Sequence, residues 1–360
     1  MADKKQSVAF IGTGIMGAPI AGHILDAGYP VTVYNRTAAK AQPLLERGAV
    51  WAETAADAVR GADVVFTMVG YPEDVEELYL AGDGLLASSK PGAILIDLTT
   101  SSPSLARDIA GAAAVSERTA FDCPVTGGEA GAIAGTLTAI AGATERDIEP
   151  VRALLETFTS KIFCFGGAGK GQSAKLANQV SLAASMVGMA DALSFAQQEG
   201  LDLAQTREMI LSGTGATGVL ASLAPKALDG DWKPGFKVRH FMKDLGLALA
   251  EAEERDIALP GCDVAFTLYD MLDAIGGAEL GTQAITLLYQ EEAEAVAAGL
   301  DWSLYTAEHE HEDGCGCGHD HGDGHECTCG HDHGDDHECC HGAGHHHEHG
   351  EGCCHGADGE

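Results

Sequence analysis

Two groups of residues in this 360-residue chain stand at spacings that do chemistry, and they lie at opposite ends. Near the start, Gly12-Thr-Gly14-Ile-Met-Gly17 follows an apolar run, Val8–Ile11, and precedes helical text, Ala18–Ala27. Strand, tight glycine turn and helix in that order build a phosphate-binding corner. The first glycine turns the chain, the second lets a pyrophosphate approach the backbone, and the third lets helix and strand pack closely. Gly12, Gly14 and Gly17, with Ile15 and Met16 between them, are candidate dinucleotide contacts. At the far end, residues 308–360 hold 8 of the 11 cysteines and 14 of the 16 histidines, with no Lys or Arg. Cys315-Gly-Cys-Gly-His-Asp-His-Gly-Asp-Gly-His-Glu recurs from Cys327 after twelve residues, and a decayed third copy starts at Cys339. The candidate metal ligands are Cys315, Cys317, His319, His321 and His325, then Cys327, Cys329, His331, His333 and His337, then Cys339, Cys340 and His341. Soft thiolates and imidazoles suit Zn²⁺ or Ni²⁺, and the dense spacing points to a flexible chelator with no part in catalysis.

The second apolar run, Val31–Tyr34, ends in Asn35-Arg36-Thr37. A site for unphosphorylated NAD usually places an acid there to accept the ribose hydroxyls. An arginine between two small polar residues holds a 2′-phosphate, which a carboxylate repels. Asn35, Arg36 and Thr37 therefore predict NADP(H) in preference to NAD(H).

These residues need a frame. Val64–Met68, Ile94–Leu98 and Thr119–Asp122 are further short apolar runs, separated by Ala/Leu-rich helical text. Regular alternation of this kind implies a parallel sheet covered on both faces. Thr136–Ala141 and Lys161–Phe165 are expected to extend that sheet. After a glycine-rich break at 166–171, Ser173–Gln198 is Ala, Leu, Met, Val and Ser without proline. It predicts one long helix buried on most sides, with further helices ending near Gly299. The expected fold is α/β: a Rossmann-type domain over residues 1–166, an all-helical domain over 167–300 and a disordered tail over 308–360, which has almost no aliphatic residues.

The net charge of −33 is concentrated in the tail, which leaves −18 for the first 307 residues. That balance argues against nucleic acid as a partner. Apolar runs such as Ala62–Val69 fall short of a membrane span, so no membrane partner is expected. The first residues lack the apolar stretch of a secretory signal, and a cytoplasmic enzyme is expected. Cys123, Cys164 and Cys262 read as buried, reduced thiols.

Four blocks between Ser7 and Gly299 together resemble the β-hydroxyacid dehydrogenases, the family of 3-hydroxyisobutyrate dehydrogenase, 2-hydroxy-3-oxopropionate reductase and the glyoxylate/succinic semialdehyde reductases. They are Phe10-Ile-Gly-Thr-Gly-Ile-Met-Gly-Ala-Pro19; Asp122-Cys-Pro-Val-Thr-Gly-Gly128; Gly169-Lys-Gly-Gln-Ser-Ala-Lys175-Leu-Ala-Asn178-Gln179; and Lys243-Asp-Leu with His240 before it. The resemblance implies that Lys175 is the catalytic acid/base and that Thr126, Gly127 and Gly128 hold the substrate carboxylate. Thr126 replaces the family's usual serine and keeps its hydroxyl. The resemblance also implies that Asn178 or Gln179 orients substrate; many members carry a second asparagine where Gln179 stands. Lys243 would approach both cofactor and substrate, with Met68, Val69 and Thr100 on the nicotinamide side. Helical spacing puts Asn178 and Gln179, at i+3 and i+4, on the face of Lys175.

The chemistry agrees. Hydride reduction of an aldehyde or ketone leaves an alkoxide, and a lysine ammonium delivers the proton it needs. A small hydroxyacid or semialdehyde substrate and a homodimer or homotetramer follow from the same resemblance. Two rival readings are an imine reductase on this fold and a metal-buffering protein on a reductase scaffold. Lys175 tells against the first and the intact glycine blocks against the second.

Overall fold

In the first third of the chain the apolar runs become strands, and those at Val8–Ile11 and Val64–Thr67 leave no face for water. The computed structural model describes residues 5–305; the tail residues from Cys315 to His341 proposed as metal ligands lie outside the described residues. Nine strands are found among the described residues: β1 Val8–Ile11, β2 Val31–Tyr34, β3 Val50–Trp51, β4 Val64–Thr67, β5 Ile94–Asp97, β6 Thr119–Asp122, β7 Val125–Thr126, β8 Leu137–Ala141 and β9 Thr159–Cys164. The first six form one sheet in the order β3-β2-β1-β4-β5-β6, and every pairing in it is parallel.

Burial on both faces explains why β1 and β4 read as continuous apolar runs rather than alternating ones. Val8 and Phe10 face one core with Val64 and Phe66, where Phe66 meets the edge of Phe158 at 5.9 Å. Ala9, Ile11 and Val65 face the opposite core with Leu95 and Tyr79. The strand order reverses between β1 and β4, which opens a crevice beyond their C-terminal ends. Gly12 leaves β1 at that point, and Met68-Val69 leaves β4 beside it.

The expectation that the runs at 136–141 and 161–165 extend this sheet is corrected. β8 and β9 form a second, three-stranded sheet with β7, in the order β7-β8-β9. Pro124 separates β6 from β7 and supplies no N–H, so the first ladder stops there and the chain starts another. Ile140 N still donates to Pro124 O at 2.9 Å, and Gly142 N donates to Asp122 O at 2.7 Å, so the two sheets abut. The two-residue β3 lacked any periodic signal in the sequence.

From Lys170 onward the described elements are helical, apart from one bridge between Lys237 and Gly281. The central helix, Lys170–Gln198, runs 29 residues. By length and composition alone it could cross a membrane; here Met186, Met189 and Leu193 are packed into the helical core with Phe241 and Tyr269. Those two rings meet edge to face at 5.1 Å, and Tyr269 donates its hydroxyl to Thr282 O at 2.7 Å. The helix Val238–Glu253 packs alongside and carries Lys243 and Asp244. Of the three body cysteines, Cys123 and Cys262 are buried, whereas Cys164 is only partly so.

Candidate active site

The glycine corner has the conformation its sequence demands. Gly12 has φ +97°, and a Cβ there would run into the carbonyl oxygen of Met68. A Cβ on Gly17 would strike the Gly12 carbonyl, so the helix Gly17–Asp26 sits directly on the turn. Nothing lies within 4 Å of the Cβ position of Gly14, which leaves that backbone open to the crevice. Thr13 is buried, yet its Oγ1 has no hydrogen-bond partner among the described residues. An open second glycine, an orphaned hydroxyl and a helix start directly behind them fit a pyrophosphate.

A cleft of ≈ 720 Å³ runs from this corner across the mouth of the sheet. Gly12, Gly14, Ile15, Met16 and Gly17 line it, as do Asn35 and Arg36 from the end of β2, Met68 and Val69 after β4, and Thr100 after β5. The helical domain closes the opposite side with Phe236, Arg239, His240, Lys243 and Asp244. Thr37 is not part of the wall. Asn35 is committed elsewhere: its Oδ1 accepts from Thr13 N at 3.0 Å and its Nδ2 donates to Thr37 O at 2.9 Å. Of the Asn35-Arg36-Thr37 trio, Arg36 is the one that brings a charge to the cleft wall. His240 stacks on Tyr71 across the cleft, with ring centroids 5.5 Å apart. Burial, then the charges of Arg239 and Lys243, hold its pKa below the usual 6.5.

Lys175 lies in the second turn of the central helix and is 8% exposed. Among the described residues its ammonium makes no hydrogen bond or ion pair. Burial lowers its pKa and Lys243 lowers it further, against the opposing field of Asp244. Behind it runs a polar chain. Asn178 Nδ2 donates to Gln179 Oε1 at 2.9 Å, and Gln179 Nε2 donates to Asp244 Oδ2 at 2.6 Å. Lys243 Nζ stands 3.0 Å from Asp244 Oδ1 and donates to Thr100 O at 2.5 Å. Gln179 is therefore engaged at both ends and buried, while Asn178 is half-buried. Lys243 joins the helical domain to the loop that follows β5 at Thr100. Thr126 ends β7, and Gly127 (φ +128°) and Gly128 (φ +62°) lead exposed into the helix Gly128–Ala134. Neither this turn nor Lys175, Asn178 and Gln179 lines the dinucleotide cleft.

Three residues that lie within the stretches quoted from the sequence, but to which it gave no role of their own, position this assembly. Asp122, at the end of β6, accepts from Gly169 N and Gln172 N, both at 2.7 Å, and so caps the central helix. Gln172, fully buried, takes Ser101 N at 3.0 Å and donates to Thr99 O at 2.7 Å, pinning the loop on both sides of Thr100. Asp97 sits beneath that loop, accepting from Thr67 Oγ1 at 2.8 Å and Thr99 N at 3.0 Å; burial pushes its pKa up to about 6. The available signal was an acid closing each of two apolar strands, Ile94–Asp97 and Thr119–Asp122, where propensity favours none.

Residues 7–166 match a family profile described as the NAD binding domain of 6-phosphogluconate dehydrogenase. Residues 169–289 match one described as the NAD-binding domain of NADP-dependent 3-hydroxyisobutyrate dehydrogenase. An uncharacterized oxidoreductase of Bacillus subtilis is 44% identical over 285 residues, covering 79% of this chain and 99% of the relative. A 3-hydroxyisobutyrate dehydrogenase of Pseudomonas aeruginosa is 38% identical over 271 residues, 73% of this chain and 91% of its own. Among solved structures, the 3-hydroxyisobutyrate dehydrogenase of Mycobacterium tuberculosis with L-serine superposes with a TM-score of 0.74 at 30% identity, covering 80% of this chain and all of that one. Fold and site define a nicotinamide-dependent oxidoreductase. The chain belongs to the β-hydroxyacid dehydrogenase family, the group of 3-hydroxyisobutyrate dehydrogenase-like enzymes.

Proposed function

We propose that this protein interconverts a small β-hydroxyacid with its semialdehyde or ketone, preferring NADP(H), and that Lys175 moves the proton. The observation that carries this reading is a buried lysine without a partner among the described residues, on a capped helix beside the loop that holds Thr100. The nicotinamide, when bound, supplies or takes the hydride. Lys175 Nζ donates a proton to the nascent alkoxide oxygen during reduction and takes it back during oxidation. The Thr126 hydroxyl and the N–H groups of Gly127 and Gly128 hold the substrate carboxylate, with Asn178 completing the hold. Lys243, tied to Thr100, fixes the distance between the two domains' contributions. NADP(H) is favoured by Arg36, the one cation ending β2, where an NAD site places an acid. Reduction of a small semialdehyde acid is the direction that NADPH favours. A homodimer or homotetramer is part of the same reading, supported by the exposed small-residue face Ser173, Ala177, Ser181, Ala184 and Gly188 of the central helix.

The depressed pKa of Lys175 makes the mechanism testable. Its ammonium serves reduction and its free amine serves oxidation. Reductive kcat/KM should fall with rising pH through an inflection below 10.5, the ordinary lysine value, while oxidative kcat/KM rises through the same one. Rates that move in the same sense in both directions would remove Lys175 from this role.

We further propose that residues 308–360 chelate metal, with zinc or nickel favoured, apart from hydride transfer. Two complete repeats each offer two thiolates and three imidazoles. Equilibrium dialysis against Zn²⁺ or Ni²⁺ should give several ions per full-length chain and almost none once the tail is deleted. Equal stoichiometry in the two would dispose of the idea.

A further inference from the structure

We propose that Asp74 sets how sharply the cleft distinguishes a phosphorylated from an unphosphorylated dinucleotide, as the counter-charge that a 2′-phosphate must displace from Arg36. This rests on the reading that Arg36 meets the 2′-phosphate. Both residues line the same cleft, Arg36 after β2 and Asp74 from the first turn of the helix Pro72–Leu80. Arg36 Nη1 stands 2.8 Å from Asp74 Oδ1. The two partners are not held alike. Asp74 is 17% exposed and its Oδ2 accepts from Tyr71 N at 3.2 Å, closing the capping box of its helix. Arg36 is 79% exposed and has no other partner among the described residues. The carboxylate is anchored and the guanidinium is the side that moves.

An incoming 2′-phosphate therefore meets a cation already neutralised by a fixed carboxylate, with Asn35 committed to Thr13 and Thr37. Two like charges beside one guanidinium repel, and the cost falls on the phosphorylated ligand alone. A 2′-hydroxyl carries no charge and donates to a carboxylate as readily as to water. The acid that NAD sites usually place at the end of β2 is absent here, and Asp74 brings a carboxylate to the same guanidinium from across the cleft. An exposed pair has a small net worth, so the effect is one of several-fold rather than an absolute choice.

The test is fluorescence titration of the full-length chain with NADPH and with NADH, for wild type, Asp74→Asn, Arg36→Ala and Glu77→Gln. Asparagine keeps an acceptor for Tyr71 N, so the helix stays capped. Asp74→Asn should tighten NADPH binding about threefold to tenfold and leave NADH within about twofold. Unchanged or weaker NADPH binding would overturn the proposal, as would equal tightening of both ligands. Glu77 lines the same cleft without touching Arg36, so an equal gain from Glu77→Gln would also overturn it by assigning the effect to the general acidic field. Arg36→Ala tests the underlying reading separately: NADPH affinity that survives it sinks the phosphate contact, whatever Asp74→Asn shows.

Discussion

Replacing Lys175 with alanine should lower kcat by about 10²–10⁴-fold, the range in which general acid–base catalysis contributes, while NADPH and NADH bind as before. The separation is expected because Lys175 is not on the wall of the dinucleotide cleft, which is built by the glycine corner, Arg36, Met68, Val69 and Thr100. The same variant should unfold at an equal or higher temperature. A buried lysine with no hydrogen bond or ion pair among the described residues carries a desolvation cost into the folded state. Its lowered pKa has the matching sign: at neutral pH the folded chain holds that proton less well than the unfolded chain, which disfavours folding. Removing the side chain removes the penalty. Activity lost with stability kept or gained is the signature of a group retained for chemistry. Turnover within about tenfold of wild type would be too small a loss for the acid/base and would exclude Lys175 from it.

Asp122→Ala should be among the most destabilising single changes outside the apolar cores, at about 2–6 kcal/mol. It leaves Gly169 N and Gln172 N without an acceptor, and each buried orphan costs about 1–3 kcal/mol. The carboxylate also faces the positive end of a 29-residue helix. Water does not easily replace it, because Gly142 and Gly171 press so closely that a Cβ on either would collide with the carboxylate oxygens. In thermal denaturation followed by circular dichroism, a loss of this size lowers the midpoint by roughly 3–10 °C in a body of this length. A shift below about 2 °C would mean that the helix start is satisfied some other way. Burial raises the Asp122 pKa above the ordinary carboxylate value, and the N–H groups of Gly169 and Gln172 pull against that rise.

Much of this was legible in the sequence because it is local. The glycine corner, the two-faced strands and the long apolar helix each follow from spacing within a dozen residues. Lys175, Thr126 and Lys243 were picked out through family resemblance alone, since one lysine beside glycines has no chemistry of its own. What stayed hidden lies in partnerships between distant positions. Asp122 meets Gly169 and Gln172 some fifty residues on, and Gln172 reaches back more than seventy to Thr99 and Ser101. No periodicity encodes such pairings. Strand partners were hidden for the same reason: β8 and β9 read as strands, but only Pro124 hinted that they belong to another sheet. The sequence reading also grouped Asn35 and Thr37 with Arg36; Asn35 does line the cleft beside Arg36, and its contacts with the backbone of Thr13 and Thr37 were not foreseen.

The central claim is that this family member performs hydride chemistry on small acids with Lys175 as proton donor. Initial rates of NADPH and NADH oxidation test it most directly, measured on the full-length protein against glyoxylate and tartronate, succinic and methylmalonate semialdehydes. The account predicts turnover of at least one of these acids, faster with NADPH, and its loss in Lys175→Ala. Binding of both dinucleotides without turnover of any of them would contradict it.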